Sequence, residues 1–321
     1  MNMSKELSTH SLSSTFSHIY VEKRVLDHEK TKDILKKFKN SHIIMIDHYK
    51  DIFNRSHQSF SEQSLSKNLI LAARDENFLI EGSYFSDGFE YENFFYTPSI
   101  LGCLYDCDYC YLQGMYNSAN SVIFVNIEDF INDSKKYLDK PTLIAISYDT
   151  DTSAIESIAK HNEVWLNEAK KEPNLNLEIR TKSANTKLFL KNEPLKNVVI
   201  AWTLSPQTII DLYEHFTPSI VQRLKAIKSV ADLGWSVRIS IDPVIYNEDF
   251  DKIYPEAIDK IFEYIEPTKL FSLTLGSFRM SPNPLKKIKK MGRRGFSPST
   301  HTNTTSKQGK FPQKEIGAKY F

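Results

Sequence analysis

Several residue types and motifs that mark common enzyme classes are missing from this chain of 321 residues. Only ten glycines occur, about half the usual share of ~7%, and no two are spaced G-x-G. That removes the standard Rossmann dinucleotide fingerprint and the Walker phosphate loop. No H-E-x-x-H is present, which excludes a zincin-type site. No uninterrupted apolar stretch approaches the ~18–20 residues that span a bilayer. The N-terminus, Met1-Asn-Met-Ser-Lys-Glu-Leu, lacks the apolar core of a secretory signal. A cytoplasmic protein without membrane association is therefore expected. What is there is a globular composition, 40% hydrophobic, 25% charged and 12% aromatic, long enough for one large domain or two ordinary ones.

Cysteine is also scarce, but its three copies fall together at Cys103, Cys107 and Cys110. An odd number argues against a disulfide framework. The spacing is C-x3-C-x2-C, within Leu101-Gly-Cys-Leu-Tyr-Asp-Cys-Asp-Tyr-Cys-Tyr-Leu-Gln-Gly114. A loop so spaced can turn three thiolates toward one metal centre. A four-iron cubane ordinarily takes four thiolates, so three leave one iron open to a cofactor. Structural zinc is the alternative. It is usually four-coordinate, and the nearest histidines, His57 and His161, are distant in sequence. With the aromatic Tyr109 just before its third cysteine, the loop resembles that of the radical S-adenosylmethionine enzymes.

Beyond the loop, β-rich runs at Ser121–Asn126, Thr142–Tyr148, Asn176–Thr181, Asn197–Leu204, Ser236–Val244 and Lys269–Leu275 are separated by stretches of helical periodicity. Helices are predicted over Ser153–Lys171, Pro218–Leu233 (closed by Gly234) and Pro255–Ile265. This alternation predicts a parallel sheet with helices outside it, and ligands of such folds gather where strands end. The polar residues at those ends are Tyr148-Asp-Thr-Asp151, Arg180-Thr-Lys182, Ser205-Pro-Gln207, Asp242-Pro243 and Gly276-Ser-Phe-Arg279. Each is individually the stuff of helix caps and turns; their recurrence at successive strand ends points to a site. Ahead of the loop, Thr31–Lys39 reads as a basic helix, Ile43–Ile46 and Leu69–Ala73 as strands, and Arg55–Asn68 as a loop. Three regions follow: residues 1–90 packed on a barrel, 91–280 the barrel, and 281–321 a basic, partly flexible segment.

Acidic residues are absent from Pro267 to Lys314, while eleven cations fall there. The chain's net charge is +1, so the remainder carries −10. Such asymmetry suggests a surface that meets a polyanion. Lys286, Lys287, Lys289, Lys290, Arg293 and Arg294 place six cations in nine residues, enough for several backbone phosphates, with Arg279 just before them. A solvated tail or an anionic membrane surface would share this composition.

The extended loop Cys103-Leu-Tyr-Asp-Cys-Asp-Tyr-Cys-Tyr-Leu-Gln113 resembles that of the spore photoproduct lyases. The likeness continues through Ile19-Tyr-Val-Glu-Lys-Arg24, Val125-Asn-Ile-Glu-Asp129, Arg180-Thr-Lys-Ser183 and Gly276-Ser-Phe-Arg279. The resemblance implies an α/β fold, a partial (β/α)6 TIM-type barrel (the radical SAM core) with an N-terminal extension and a basic C-terminal segment. It also implies a [4Fe-4S] cluster, S-adenosyl-L-methionine, and repair of a thymine–thymine photolesion in DNA through a 5′-deoxyadenosyl radical. The three cysteines would ligate the cluster. Tyr109, Thr150, Lys182, Ser205 and Asp242 would bind the cofactor: Tyr109 against the adenine, Lys182 at the carboxylate, Ser205 at the sugar or methionine end.

Many members carry a further cysteine after the second strand as hydrogen-atom donor. This chain has none, and Tyr148 stands at that place to fill the role, with Tyr111 as relay. The expected partners are lesion-bearing DNA and an electron donor such as flavodoxin or ferredoxin, with the chain a monomer. Two other readings remain open at this level. One is a radical enzyme acting on RNA, a peptide or a metabolite; the other is a non-enzymatic, zinc-stabilised nucleic-acid-binding protein.

Overall fold

Strand–helix alternation along the chain builds two mainly parallel sheets. The structure is a computed structural model and describes residues 16–82, 91–278 and 280–291. In order, the strands are β1 (His18–Glu22), β2 (His42–Ile46), β3 (Leu69–Ala72), β4 (Ile80–Glu81), β5 (Asn93–Tyr96), β6 (Ile100–Leu101) and β7 (Asp106–Cys107). They continue as β8 (Ser121–Phe124), β9 (Thr142–Ala145), β10 (Leu175–Thr181), β11 (Val198–Thr203), β12 (Glu214–His215), β13 (Ser236–Val244) and β14 (Leu270–Ser277).

The larger sheet has seven strands in the order β14-β13-β11-β10-β9-β5-β4. From β5 to β14 every pairing is parallel and follows chain order, as successive right-handed crossovers through helices produce. Among the described residues the sheet is open, with β14 and β4 at its edges, and no closed barrel forms. The smaller sheet, β2-β1-β3-β8-β6, alternates cleanly. Ile19, Val21, Leu69, Leu71, Ile123 and Ile100 face one core with the helices Glu29–Leu35 and Thr152–Ala159, whereas Ile70, Ala72, Val122, Phe124 and Leu101 face the main core. That second face joins the two sheets through a shared apolar interior.

Several sequence expectations need correction. The run at Ser121–Asn126 is not in the sheet with the other five. As β8 it is wholly buried between β3 and β6. Its expected place is taken by β5, which precedes the cysteine loop and pairs with β9. The helix expected over Ser153–Lys171 is two, Thr152–Ala159 and His161–Ala169, broken at Lys160 in the left-handed conformation (φ 54°). Glu156 accepts the backbone N–H groups of Asn162 and Glu163, both at 2.9 Å, so a carboxylate caps the second helix. The cap of the first is Asp151, not Ser153. The third helix starts at Phe250, with Pro255 inside it, and the basic helix near the start runs over Glu29–Leu35. The helix Ile220–Ala231 opens on a Ser219/Gln222 capping box. Among the described residues no helix is long and apolar enough to cross a membrane.

The helix Pro282–Met291 closes the described chain. It buries Ile288 and turns Lys286, Lys287, Lys289 and Lys290 to solvent. It packs on the short helix Leu112–Met115 directly after the third cysteine. Gly114 makes this approach possible: a Cβ there would lie 2.4 Å from the Pro284 backbone. Arg279, Arg293 and Arg294 lie outside the described residues.

Candidate active site

A parallel sheet covered on both faces normally carries apolar residues on both. Here the larger sheet's two faces differ. Leu177, Ile179, Ile200, Trp202, Val237, Ile239 and Ile241 pack into the core. On the opposite face, the register aligns Arg180, Ala201, Arg238 and Ser272 in one row and Thr203, Ser240 and Thr274 in the next. Glu178 bridges this face, accepting from Arg238 Nη1 (2.6 Å) and from Arg180 Nη2 (3.0 Å). Lys182, Ser205 and Asp242 stand at or beyond the carboxyl ends of these strands, where ligands of such sheets bind.

The cysteine loop is held at the same end. Gly102, with φ +79° and a built Cβ only 2.4 Å from the Asn120 carbonyl, allows the chain to turn off β6. β7 then pairs antiparallel with β12, Glu214 opposite Cys107 and His215 opposite Asp106. Asp108 extends the clasp, its N–H donating to the Tyr213 carbonyl (2.8 Å) and its carboxylate lying 2.9 Å from His215 Nε2. From the other side, Lys67 Nζ donates to the carbonyls of Cys103, Leu104 and Tyr105. Removal from water pushes the metal-free Cys103 thiol up to about 12 and raises those of Cys107 and Cys110, against the pull of Lys67 and Lys182. Binding a metal centre would displace those protons.

Three of the residues singled out from sequence converge on one that was not. Glu214, fully buried, accepts hydrogen bonds from the Tyr109 hydroxyl and from Ser205 Oγ (2.9 Å) and lies 3.6 Å from Lys182 Nζ. Its second oxygen takes a bond from Arg223 Nη2 at 2.5 Å. Arg223 is itself inaccessible and donates further to Thr217 Oγ1, Pro218 O and Thr203 O. Burial alone would raise the Glu214 pKa, but Arg223, Lys182 and the hydrogen bonds hold it down at about 2. Lys182 Nζ also sits 5.6 Å from the centre of the Tyr109 ring. Glu214 and Tyr109 are 105 residues apart, and the local run Asp211-Leu-Tyr-Glu-His-Phe216 has no motif that would have marked it. Lys67 and Arg223 were likewise invisible in the sequence.

Asp151 sets the approach of Lys182 by accepting its backbone N–H (2.7 Å) and the Thr181 hydroxyl (2.8 Å). Thr150 is half-buried beside it, and Asp242 lies over Gly276. Tyr148 is 45% exposed and stacks on Tyr96 with centroids 4.0 Å apart, a partner the sequence did not suggest. Tyr111 donates to the Tyr148 carbonyl (2.6 Å), and their rings are 5.7 Å apart. The structure thus brings Tyr109, Lys182 and Ser205 into one network and Tyr111 and Tyr148 into a second.

All three cysteines line one recess, with Gly102, Asp106 and Gln113 beside them. The fit of an iron–sulfur group rests on the donor set and its setting. Three thiols on a loop fixed from two sides match the ligand type of such clusters. Among the described residues no three His, Cys, Asp or Glu side chains converge on a point that would hold a single metal ion.

Comparison with known proteins finds relatives along most of the chain. The family model described as spore photoproduct lyase matches residues 15–291. The spore photoproduct lyase of Clostridium acetobutylicum is 23% identical over 293 residues, covering 87% of this chain and 83% of that protein. The lyase of Geobacillus sp. is 22% identical over 182 residues, 55% of this chain and 53% of its own length. A spore photoproduct lyase double mutant solved with bound AdoMet and dinucleoside spore photoproduct aligns with a TM-score of 0.75 at 18% identity, over 88% of this chain and 84% of that one. At this identity the structural match speaks for the fold.

Proposed function

The chain belongs to the spore photoproduct lyase family, lyases of the radical S-adenosylmethionine class, and we propose on that premise that it repairs a thymine–thymine photolesion in DNA. The carrying observation is the position of the three-thiol loop against the Tyr109–Lys182–Ser205–Glu214 network at the carboxyl end of the sheet. The six parallel strands β5 to β14 serve as the partial barrel around that site.

Cys103, Cys107 and Cys110 would hold a [4Fe-4S] cluster, and its open iron would take S-adenosyl-L-methionine. When bound and reduced, this pair supplies a 5′-deoxyadenosyl radical; the hard chemistry is the cofactor's. The protein's part is binding and shielding. Tyr109 offers a ring face for adenine, and Lys182 an ammonium for the carboxylate. Ser205 presents a hydroxyl to the sugar or methionine end, and Thr150 and Asp242 flank the cofactor. Glu214 keeps Tyr109, Ser205 and Lys182 turned toward one another. Tyr148, 45% exposed and stacked on Tyr96, would return a hydrogen atom to the repaired base, with Tyr111, which donates to its carbonyl, as relay.

Lys286, Lys287, Lys289 and Lys290 line the outer face of a helix seated beside the cluster loop. They would hold phosphates flanking the lesion, with Arg279, Arg293 and Arg294 adding charge from outside the described residues. Extracting the lesion from the stack costs roughly a few kcal/mol, less for a damaged base. The enzyme would act in the cytoplasm as a monomer, fed by an electron donor of the flavodoxin or ferredoxin type.

The test is product analysis with anaerobically reconstituted protein. Dinucleotides carrying the spore lesion should revert to thymines with formation of 5′-deoxyadenosine. Turnover of the cofactor with no repair of any thymine lesion would leave the radical class intact and reject DNA repair.

A further inference from the structure

Lys67, two residues before β3 of the smaller sheet, reaches to the cysteine loop. Lys67 Nζ donates to three successive carbonyls, of Cys103 (2.6 Å), Leu104 (3.2 Å) and Tyr105 (2.8 Å). An ammonium has three donors, and all three are spent on the stretch that begins at the first thiol. These acceptors are neutral carbonyls, so they leave the cation's charge in place next to the loop.

The arrangement is costly for a loop clasp alone. Lysine gives up much of its side-chain freedom when fixed, and an ammonium is costly to withdraw even partly from water, as at the part-buried Lys67. Gly102, the β7–β12 ladder and Asp108 already fix the loop. A neutral donor could have served the carbonyls. A full charge matters most where a nearby group changes its own charge, and an iron–sulfur cluster does so by one electron at each reduction. Net charge around a cluster is one of the quantities that set its potential.

Resting on the cluster reading above, we propose that Lys67 is a positioning residue of the metal centre, contributed by the N-terminal sheet: it fixes the segment of the first ligand and its charge favours the reduced cluster. The N-terminal region is then part of the redox site and not only packing for it.

The experiment compares anaerobically reconstituted full-length wild type, Lys67→Met, Lys67→Gln and Lys67→Arg. It measures iron and sulfide content and the cluster's midpoint potential by spectroscopic redox titration. Wild type and Lys67→Arg should share a potential. The two neutral variants should be reduced at least tenfold less readily, a shift of about 59 mV to lower potential for one electron. If Met removes the cluster, Gln, which still donates to carbonyls, carries the measurement. Loss of cluster from both neutral variants but not from Lys67→Arg also supports the charge. A neutral variant with full iron and the wild-type potential overturns the proposal. Absence of a cluster from the wild type would instead reject the parent reading, and the iron assay separates the two.

Discussion

Replacing Glu214 with Gln removes one charge from the centre of the network and leaves its shape nearly intact. Arg223 then stays buried with its bonds to Thr203, Thr217 and Pro218 but without a carboxylate. Breaking a buried ion pair from one side typically costs about 3–5 kcal/mol. The depression of the Glu214 carboxyl from 4.5 to about 2 gives an independent figure on the order of 3 kcal/mol. A folded-state pKa below the unfolded one contributes stability that is fully present above about pH 4.5 and withdrawn as pH falls toward about 2. Denaturant unfolding of the metal-free chain, with linear extrapolation, should show Glu214→Gln about 3 kcal/mol less stable at neutral pH. The gap should narrow below about pH 4.5. Arg223→Met should lose a similar amount, and the double variant clearly less than the two together, since residues in one network do not add. Strictly additive losses, or wild-type stability in Glu214→Gln, would refute this view of the pair.

The other predictions concern the periphery. Changing Lys286, Lys287, Lys289 and Lys290 to Gln should lower the slope of log K against log salt for DNA by up to about 3–4, at roughly 0.9 per phosphate contact; an unchanged slope removes the helix as the DNA grip. Tyr148→Phe should consume cofactor yet divert the substrate radical to side products, seen by chromatography; a wild-type product profile eliminates Tyr148 as donor. Burial pushes Glu156 up to about 7 from 4.5, so its contribution to stability is complete below about pH 4.5 and lost as pH rises through 7. Unfolding midpoints measured from about pH 5 to about pH 8 should therefore fall more steeply in wild type than in Glu156→Gln; parallel curves would contradict the shift.

What the sequence made legible was local. The thiol loop announces itself within eight residues; Lys182 and Ser205 drew notice because polar residues recur where apolar strands end, and the family resemblance suggested their roles. Glu214 is tied to that site by an antiparallel pairing of two-residue strands, β7 with β12, set by the tertiary path and not by any local pattern. The same holds for Lys67, whose partners are backbone carbonyls 36 to 38 residues away. β5 was missed because Asn-Phe-Phe-Tyr is short and only partly buried. β8 was given to the wrong sheet because a wholly buried strand does not reveal which neighbours bury it. The break at Lys160 was hidden because a non-glycine residue adopts the left-handed conformation there, stabilised by the Glu156 cap on the second helix.

The most direct measurement of the central claim is made without oxygen, on wild-type protein supplied with ferrous iron and sulfide, then reduced in the presence of S-adenosyl-L-methionine. About four irons and four sulfides per chain and release of 5′-deoxyadenosine, both lost when any of Cys103, Cys107 or Cys110 becomes Ala, are the predicted result. Protein that stays colourless, or a cluster that forms on reconstitution but never cleaves the cofactor, would contradict it.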